Sequence, residues 1–147
     1  MASSEGRPLL LDVNALVALA WSNHQFHAAV VARLEKRPAP RWATCALTQL
    51  GFVRLSSNPS VVGVRKTPAE AVSLLAELTR DRHHVYLDAL PALSETASFF
   101  RRLLGHQQVT DAYLLAIAGA SAATLLTFDR RVASHATTRA HFEVLQL

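Results

Sequence analysis

The chain has a single cysteine, Cys45, so no intramolecular disulfide is available and no cysteine cluster exists to hold zinc. Glycine is equally scarce, five scattered residues in 147, and neither GxxxxGK[ST] nor GxGxxG occurs. That excludes the glycine-rich phosphate cradles of P-loop and dinucleotide-binding proteins. Charged residues make up only 18% against 50% hydrophobic ones, a balance that excludes disorder and predicts one compact domain over residues 1–147. A chain of this length buries roughly two-thirds of its unfolded surface, enough for a core without staples. Long apolar runs are missing too: the stretch from Ala112 to Leu126 is interrupted by Gly119, Ser121 and Thr124 and is too short to span a membrane. The opening MASSEGRP lacks the basic-then-apolar plan of a secretory leader. The expectation is a cytoplasmic protein with no membrane contact and a reduced thiol.

Fifteen basic residues stand against eleven acidic ones, a net charge of +4. Such an excess favours an anionic partner such as nucleic acid. If Asp12, Asp111 and Asp129 share one cleft, the remaining surface carries an excess of +7.

The apolar pattern alternates between strand-like and helix-like segments. PLLLDV at residues 8–13 reads as a central strand buried on both faces. Phe26, Ala29, Val30 and Leu34 mark a helix stopped near Pro38, Trp42 to Thr44 a strand, and Ala46 to Val53 a second helix. Thr67, Pro68 and Glu70 form a capping box with proline at the first helical position. His84 to Leu87 suits a strand, and Ser94 is placed to cap a helix whose Phe99, Phe100, Leu103 and Leu104 face inward. A helix opening at Thr110 carries Asp111 as its only charge, which implies burial nearly all round. Thr124 to Phe128 reads as strand, Arg130 to His135 as a short helix and Phe142 to Leu147 as a final edge strand. The alternation predicts a three-layer α/β/α sandwich around a mostly parallel sheet.

In such sheets ligands bind beyond the carboxyl ends of the strands, where Asp12 and Asp129 fall. Asp111, in the first turn of a helix, is favoured there by the helix dipole. Two carboxylates at about 4 Å repel by roughly 4 kcal/mol at an effective dielectric of about 20, so a gathering of three calls for a cation. Hard oxygen donors without cysteine indicate Mg²⁺ or Mn²⁺, the metals of phosphodiester hydrolysis. Asn14 suits either a contact to this centre or the start of a helix. Thr110 and Thr127 are placed to orient Asp111 and Asp129, Thr110 serving also as a helix cap. Seven histidines include His24 with His27 and His83 with His84, but neither pair has a third zinc ligand. GASAA at 119–123 is not a nucleophile elbow, and DVNAL lacks the second aspartate of phosphoaspartate enzymes.

The segments LLLDVNALVAL (9–19), WATCALTQLGFVRLSSNP (42–59), VTDAYLLAIA (109–118) and LLTFDRR (125–131) together resemble the PIN-domain ribonucleases, and among them the VapC toxins of bacterial toxin–antitoxin pairs. The resemblance covers nearly the whole chain. It implies a PIN-like fold, a divalent metal held by Asp12, Asp111 and Asp129, and hydrolysis of single-stranded or loop RNA, a tRNA or rRNA loop being among the candidates. It further implies 5′-phosphate and 3′-hydroxyl ends, a homodimer, and a VapB-like antitoxin that obstructs the cleft. A fourth position departs from the family: Gln49 stands where glutamate is usual. An amide keeps the shape and removes a charge, which predicts weaker metal binding and lost or reduced turnover. The alternative is a silent module that binds RNA or antitoxin. Arg54, Arg65, Lys66, Arg101, Arg102, Arg130 and Arg131 are candidates to steer RNA phosphates, with Arg130 and Arg131 nearest Asp129, and His106 is a further candidate contact.

Overall fold

The computed structural model describes residues 6–137 and 140–146. Five parallel strands lie in the order β3-β2-β1-β4-β5: β1 (Leu9–Leu11), β2 (Trp42–Cys45), β3 (His84–Leu87), β4 (Thr124–Thr127) and β5 (Phe142–Val144). The sheet is thus wholly parallel. The expected edge strand is shorter than its apolar pattern, and its predicted end, Leu147, lies outside the described residues.

Alternation within β1 sorts the core into two layers. Leu10, with Ala43, Cys45 and Leu125, packs against Leu114, Leu115, Ile117 and Ala118 of α6 (Val109–Ala120). Leu9 and Leu11, with Trp42 and Leu126, face the other way. There they meet α1 (Val13–Ala20), α2 (His27–Glu35), α3 (Ala46–Ser56) and α5 (Pro68–Leu78) through Leu16, Val30, Phe52 and Leu75. This is the predicted α/β/α sandwich, and β1 is buried on both faces because its neighbours cover both.

Local chemistry sets most boundaries. Thr67 and Glu70 form the reciprocal capping box before α5, and Asp12 caps α1 by accepting from the Ala15 N–H at 2.8 Å. The turn α4 (Pro59–Val62) ends at Gly63, whose φ of 78° needs the freedom of glycine. Two expectations fail. The segment expected to be capped by Ser94 is a 3₁₀ helix, Leu93–Phe100, that begins after Ala92 without a side-chain cap and ends before Leu103 and Leu104; Leu104 is fully exposed. Thr110 does not open α6, because Gln108 holds the cap position and Thr110 is an exposed second residue. In both cases a suitable capping side chain lies one or more residues inside the element, a displacement that propensity does not detect. The short helix α7 (Val132–His135) follows β4, as expected.

Candidate active site

The chain runs from β1 to β2 on one side and reaches β4 on the other, so the strand order reverses between β1 and β4. At such a switch point a crevice opens beyond the carboxyl ends. Asp12 follows β1 and Asp129 lies two residues past β4, so both stand at the carboxyl ends of these neighbouring strands. Asp111 reaches the same region from the first turn of α6. The three are electrostatically coupled: Asp111 and Asp129 both push the Asp12 carboxyl up, and Asp129 pushes up Asp111.

Asp12 is the most enclosed, at 6% exposure. Its Oδ1 accepts from the Ala15 N–H and its Oδ2 from the Thr127 hydroxyl at 2.6 Å. Burial is the largest influence and, against these bonds, raises the carboxyl from 3.8 to about 6. Asp111 is also raised, chiefly by burial and then by Asp129, with His135 and Arg131 acting in the opposite sense. Asp129 moves the other way because Arg131 grips it. The guanidinium donates from Nε to Oδ1 (3.0 Å) and from Nη2 to Oδ2 (2.8 Å), and the Arg131 backbone N–H adds a bond to Oδ1 (2.9 Å). Arg131 thus hydrogen-bonds Asp129 and acts on Asp111 through its charge only.

Thr127 does more than orient Asp129, its expected partner. Its oxygen accepts from the Asp129 backbone N–H at 3.0 Å, which commits its proton to Asp12. Asn14 is exposed, and Thr110 stands on the solvent side of α6. Arg131 is bound to Asp129, whereas Arg130 reaches toward Gln146 at 3.4 Å.

Gln49 lies in the first turn of α3, half-buried, where its Nε2 donates to Thr44 Oγ1 at 3.0 Å. Thr44 Oγ1 is also 2.8 Å from His84 Nε2, so the hydroxyl that accepts from the amide turns its proton to the imidazole. Burial holds the His84 pKa below its usual value, against the pull of Asp81 and the Thr79 carbonyl. A neutral hydrogen-bonded chain occupies the position where the resemblance implies a fourth acid.

Sequence reasoning missed Gln108 and His135. An amide's two ends are assigned from their neighbours. With its nitrogen inward, Gln108 donates to Asp111 Oδ2 (3.3 Å) and His135 Nε2 (3.2 Å), and its oxygen accepts from Arg131 Nε (3.2 Å). One side chain therefore links the acid of α6, the cation after β4 and the histidine of α7. No motif spacing marks it; only its place just before VTD hints at a role.

The donor set suits a hard divalent cation: oxygen ligands, a buried carboxylate whose ionisation is costly, and like charges awaiting compensation. As the side chains stand, no three His, Cys, Asp or Glu groups among the described residues are close enough to enclose an ion. Asp129 is engaged by Arg131 instead.

The PIN domain family matches residues 9–137, spanning all four segments and every acidic position discussed. Ribonuclease VapC39 of Mycobacterium tuberculosis is 40% identical over 129 residues, covering 87% of this chain and 93% of the relative. Ribonuclease VapC38 of the same organism is 40% identical over 131 residues, 88% and 91% of the two chains. Ribonuclease VapC44, also from that organism, is 38% identical over 143 residues, covering 92% and 98%. With a parallel sheet whose switch point carries Asp12 and Asp129, and relatives matched over nearly their whole length, the chain belongs to the PIN-domain family, in its VapC branch.

Proposed function

We propose that the protein is a VapC-type toxin of the cytoplasm, a metal-dependent endoribonuclease restrained by a cognate VapB-like antitoxin. The observation that carries the reading is the gathering of Asp12, Asp111 and Asp129 at the β1/β4 switch point, coupled and partly buried. The VapC relatives, named as ribonucleases, support RNA as the substrate. Asp12, Asp111 and Asp129 would hold Mg²⁺ or Mn²⁺. When bound, such an ion supplies Lewis acidity toward the phosphodiester and a more acidic water. Thr127 keeps Asp12 ionised and aimed by donating to its Oδ2, and Gln108 fixes the rotamer of Asp111. Arg131, once released from Asp129, would be a cation beside the carboxylates available to a phosphate.

Two protein partners accompany this reading, an antitoxin and a second copy of the chain. The face where α3 packs on α5 supports a protein contact, since Leu50 is 69% exposed and Val72 is also open to solvent. A strict monomer in light scattering across a wide concentration range would remove the homodimer.

A second reading, a silent module that binds RNA without turnover, is favoured by Gln49. Its nitrogen is held on Thr44, so position 49 offers a carbonyl and no charge. The deciding experiment is Mg²⁺- and Mn²⁺-dependent cleavage of pooled cellular RNA by this protein, by its Gln49→Glu variant and by Asp111→Ala as background. The endoribonuclease reading expects cleavage by the wild type above background and at least about tenfold more by Gln49→Glu, the equivalent of one restored charge contact of roughly 1.4 kcal/mol. Silence in both, with salt-sensitive RNA binding retained, establishes the module instead.

A further inference from the structure

Between the end of α2 and the edge strand β5 runs a groove of about 600 Å³, in the layer that holds Leu9, Val30 and Leu145. It starts at Arg7 and Thr124, by the amino ends of β1 and β4, and reaches Gln146, past the carboxyl end of β5. It therefore runs the full height of the sheet. At its upper end Gln146 Oε1 accepts from Arg130 Nη2 at 3.4 Å, and Arg130 directly follows Asp129.

The groove is strongly basic. Four cations line it, Arg7, Arg33, Lys36 and Arg37, against one acid, Glu143. That acid is already neutralised: Arg33 donates from Nε to one of its oxygens at 2.6 Å and from Nη2 to the other at 2.9 Å. Glu35, beside Lys36 in the sequence, lines a different cavity with Leu34 and Trp42. Arg7, Lys36 and Arg37 make no ion pair among the described residues, and Lys36 and Arg37 are exposed. Pro38 and Pro40 stiffen the chain that follows these two cations, since each ring locks its own φ. None of these four cations was marked by the sequence motifs.

What the groove lacks identifies its occupant. Among the described residues, none of the large hydrophobic side chains that stand exposed lines it, so a protein segment would find charge there but no apolar anchor. No aromatic ring lines it either, so a base would find nothing to stack on. A row of cations without anchors or stacking planes suits a phosphodiester backbone, which carries one charge at every repeat.

We propose that the α2/β5 groove is a second nucleic-acid contact, separate from the acidic centre, which holds the backbone of a single RNA strand through Arg7, Lys36 and Arg37 without reading its bases. The choice of RNA rests on the endoribonuclease reading above, to which the groove adds a hold on the substrate outside the carboxylates.

The test is binding of a labelled short oligouridylate to the metal-free protein, followed by fluorescence anisotropy across a range of salt concentrations. Lys36→Gln with Arg37→Gln should weaken binding about tenfold at moderate salt and flatten the salt dependence by about 1.4, the share of two cations on a single strand. Arg80→Gln with Arg82→Gln removes the same charge from exposed positions outside the groove and should change binding little. Equal losses in the two paired variants would show diffuse attraction only and overturn the groove. Oligocytidylate should bind as oligouridylate does, and a strong preference between them overturns a backbone contact. Displacement of the RNA by an oligoglutamate of equal charge would assign the groove to an acidic protein segment instead.

A second readout needs no substitution. The chain has two lysines, Lys36 and Lys66, and Lys66 lies over the Trp21 ring outside the groove. Bound oligonucleotide should slow acetylation of Lys36 several-fold and leave Lys66 unchanged; equal protection of both overturns the proposal. If the wild type cleaves RNA while the groove variant binds it undiminished, the groove falls alone. If binding depends on Lys36 and Arg37 while neither the wild type nor Gln49→Glu cleaves, the nuclease reading falls and the groove stands.

Discussion

Thr127 donates to Asp12 Oδ2 at 2.6 Å while its oxygen accepts from the Asp129 backbone N–H at 3.0 Å, so one buried hydroxyl ties the chain just after β1 to the chain just after β4. Thr127→Val keeps the β-branched shape that suits β4 and removes both bonds. The Asp129 N–H and one carboxylate oxygen of Asp12 are then left without this partner. Unfolding in urea should show a loss of about 1–3 kcal/mol, and the Asp12 carboxyl should move further above its present value of about 6. An unchanged midpoint would show that solvent replaces the hydroxyl without cost.

Asp12 makes stability depend on pH in a particular direction. Its folded-state pKa, about 6, lies above the unfolded value of 3.8, so between those values the folded protein binds more protons than the unfolded chain. Stability of the metal-free protein therefore falls as pH rises through that window, by about 3 kcal/mol in all if Asp12 acts alone. Thermal melts from pH 4 to pH 7 should show this decline relative to Asp12→Asn, which has no charge to develop. Mg²⁺ at neutral pH should restore part of the loss in the wild type only. Parallel pH profiles for the two proteins would mean that Asp12 is solvated more fully than its burial indicates.

Arg131 neutralises Asp129 and so competes with any cation that Asp129 would help to hold. Arg131→Gln removes a charge from an exposed side chain and returns Asp129 toward the ordinary carboxylate range. Calorimetric titration with Mn²⁺ should then show tighter binding, by several-fold. Cleavage of RNA should nevertheless fall, because a cation beside the carboxylates is gone. Weaker Mn²⁺ binding in the variant would instead assign Arg131 the task of fixing Asp129 in its metal-holding rotamer.

Much of this arrangement was legible in the sequence, for reasons that differ from residue to residue. Asp12, Asp111 and Asp129 each sit at the end of a strand or the start of a helix, and the parallel alternation alone brings such ends to one edge. The layers followed from LLL at residues 9–11, since a strand apolar at consecutive positions must be covered twice. Gln108 and His135 were not legible, because their roles depend on how α7 folds back after β4, and no period in the chain reports that return. The hydrogen bonds of Thr44 to Gln49 and His84 cross from β2 to α3 and β3, a register that composition does not encode. The misplaced caps at Ser94 and Thr110 have a simpler origin: the two helices begin after Ala92 and Gln108 with no side-chain cap at either start, so a good capping residue nearby did not set the boundary.

The close approach of α1 and α3 gives a stability test independent of any activity. A Cβ built at Gly51 would stand 2.5 Å from Val13 Cγ2 and 2.9 Å from Val13 Cγ1, well inside van der Waals contact. Gly51 is buried in the middle of α3, where alanine would otherwise be favoured by about 1 kcal/mol on helix propensity. Val13 is stiff at χ1 and is the first residue of α1, directly after Asp12, so it cannot yield without moving the aspartate. Overpacking of this kind costs about 1–3 kcal/mol, which outweighs the propensity gain. Gly51→Ala should therefore lower the melting temperature, while Gly51→Ala with Val13→Ala should recover most of the loss. Because the first substitution presses on the residue next to Asp12, it should also weaken Mn²⁺ binding, and the paired substitution should restore it. If Gly51→Ala is as stable as the wild type, the helices are free to separate and Val13 does not anchor the aspartate.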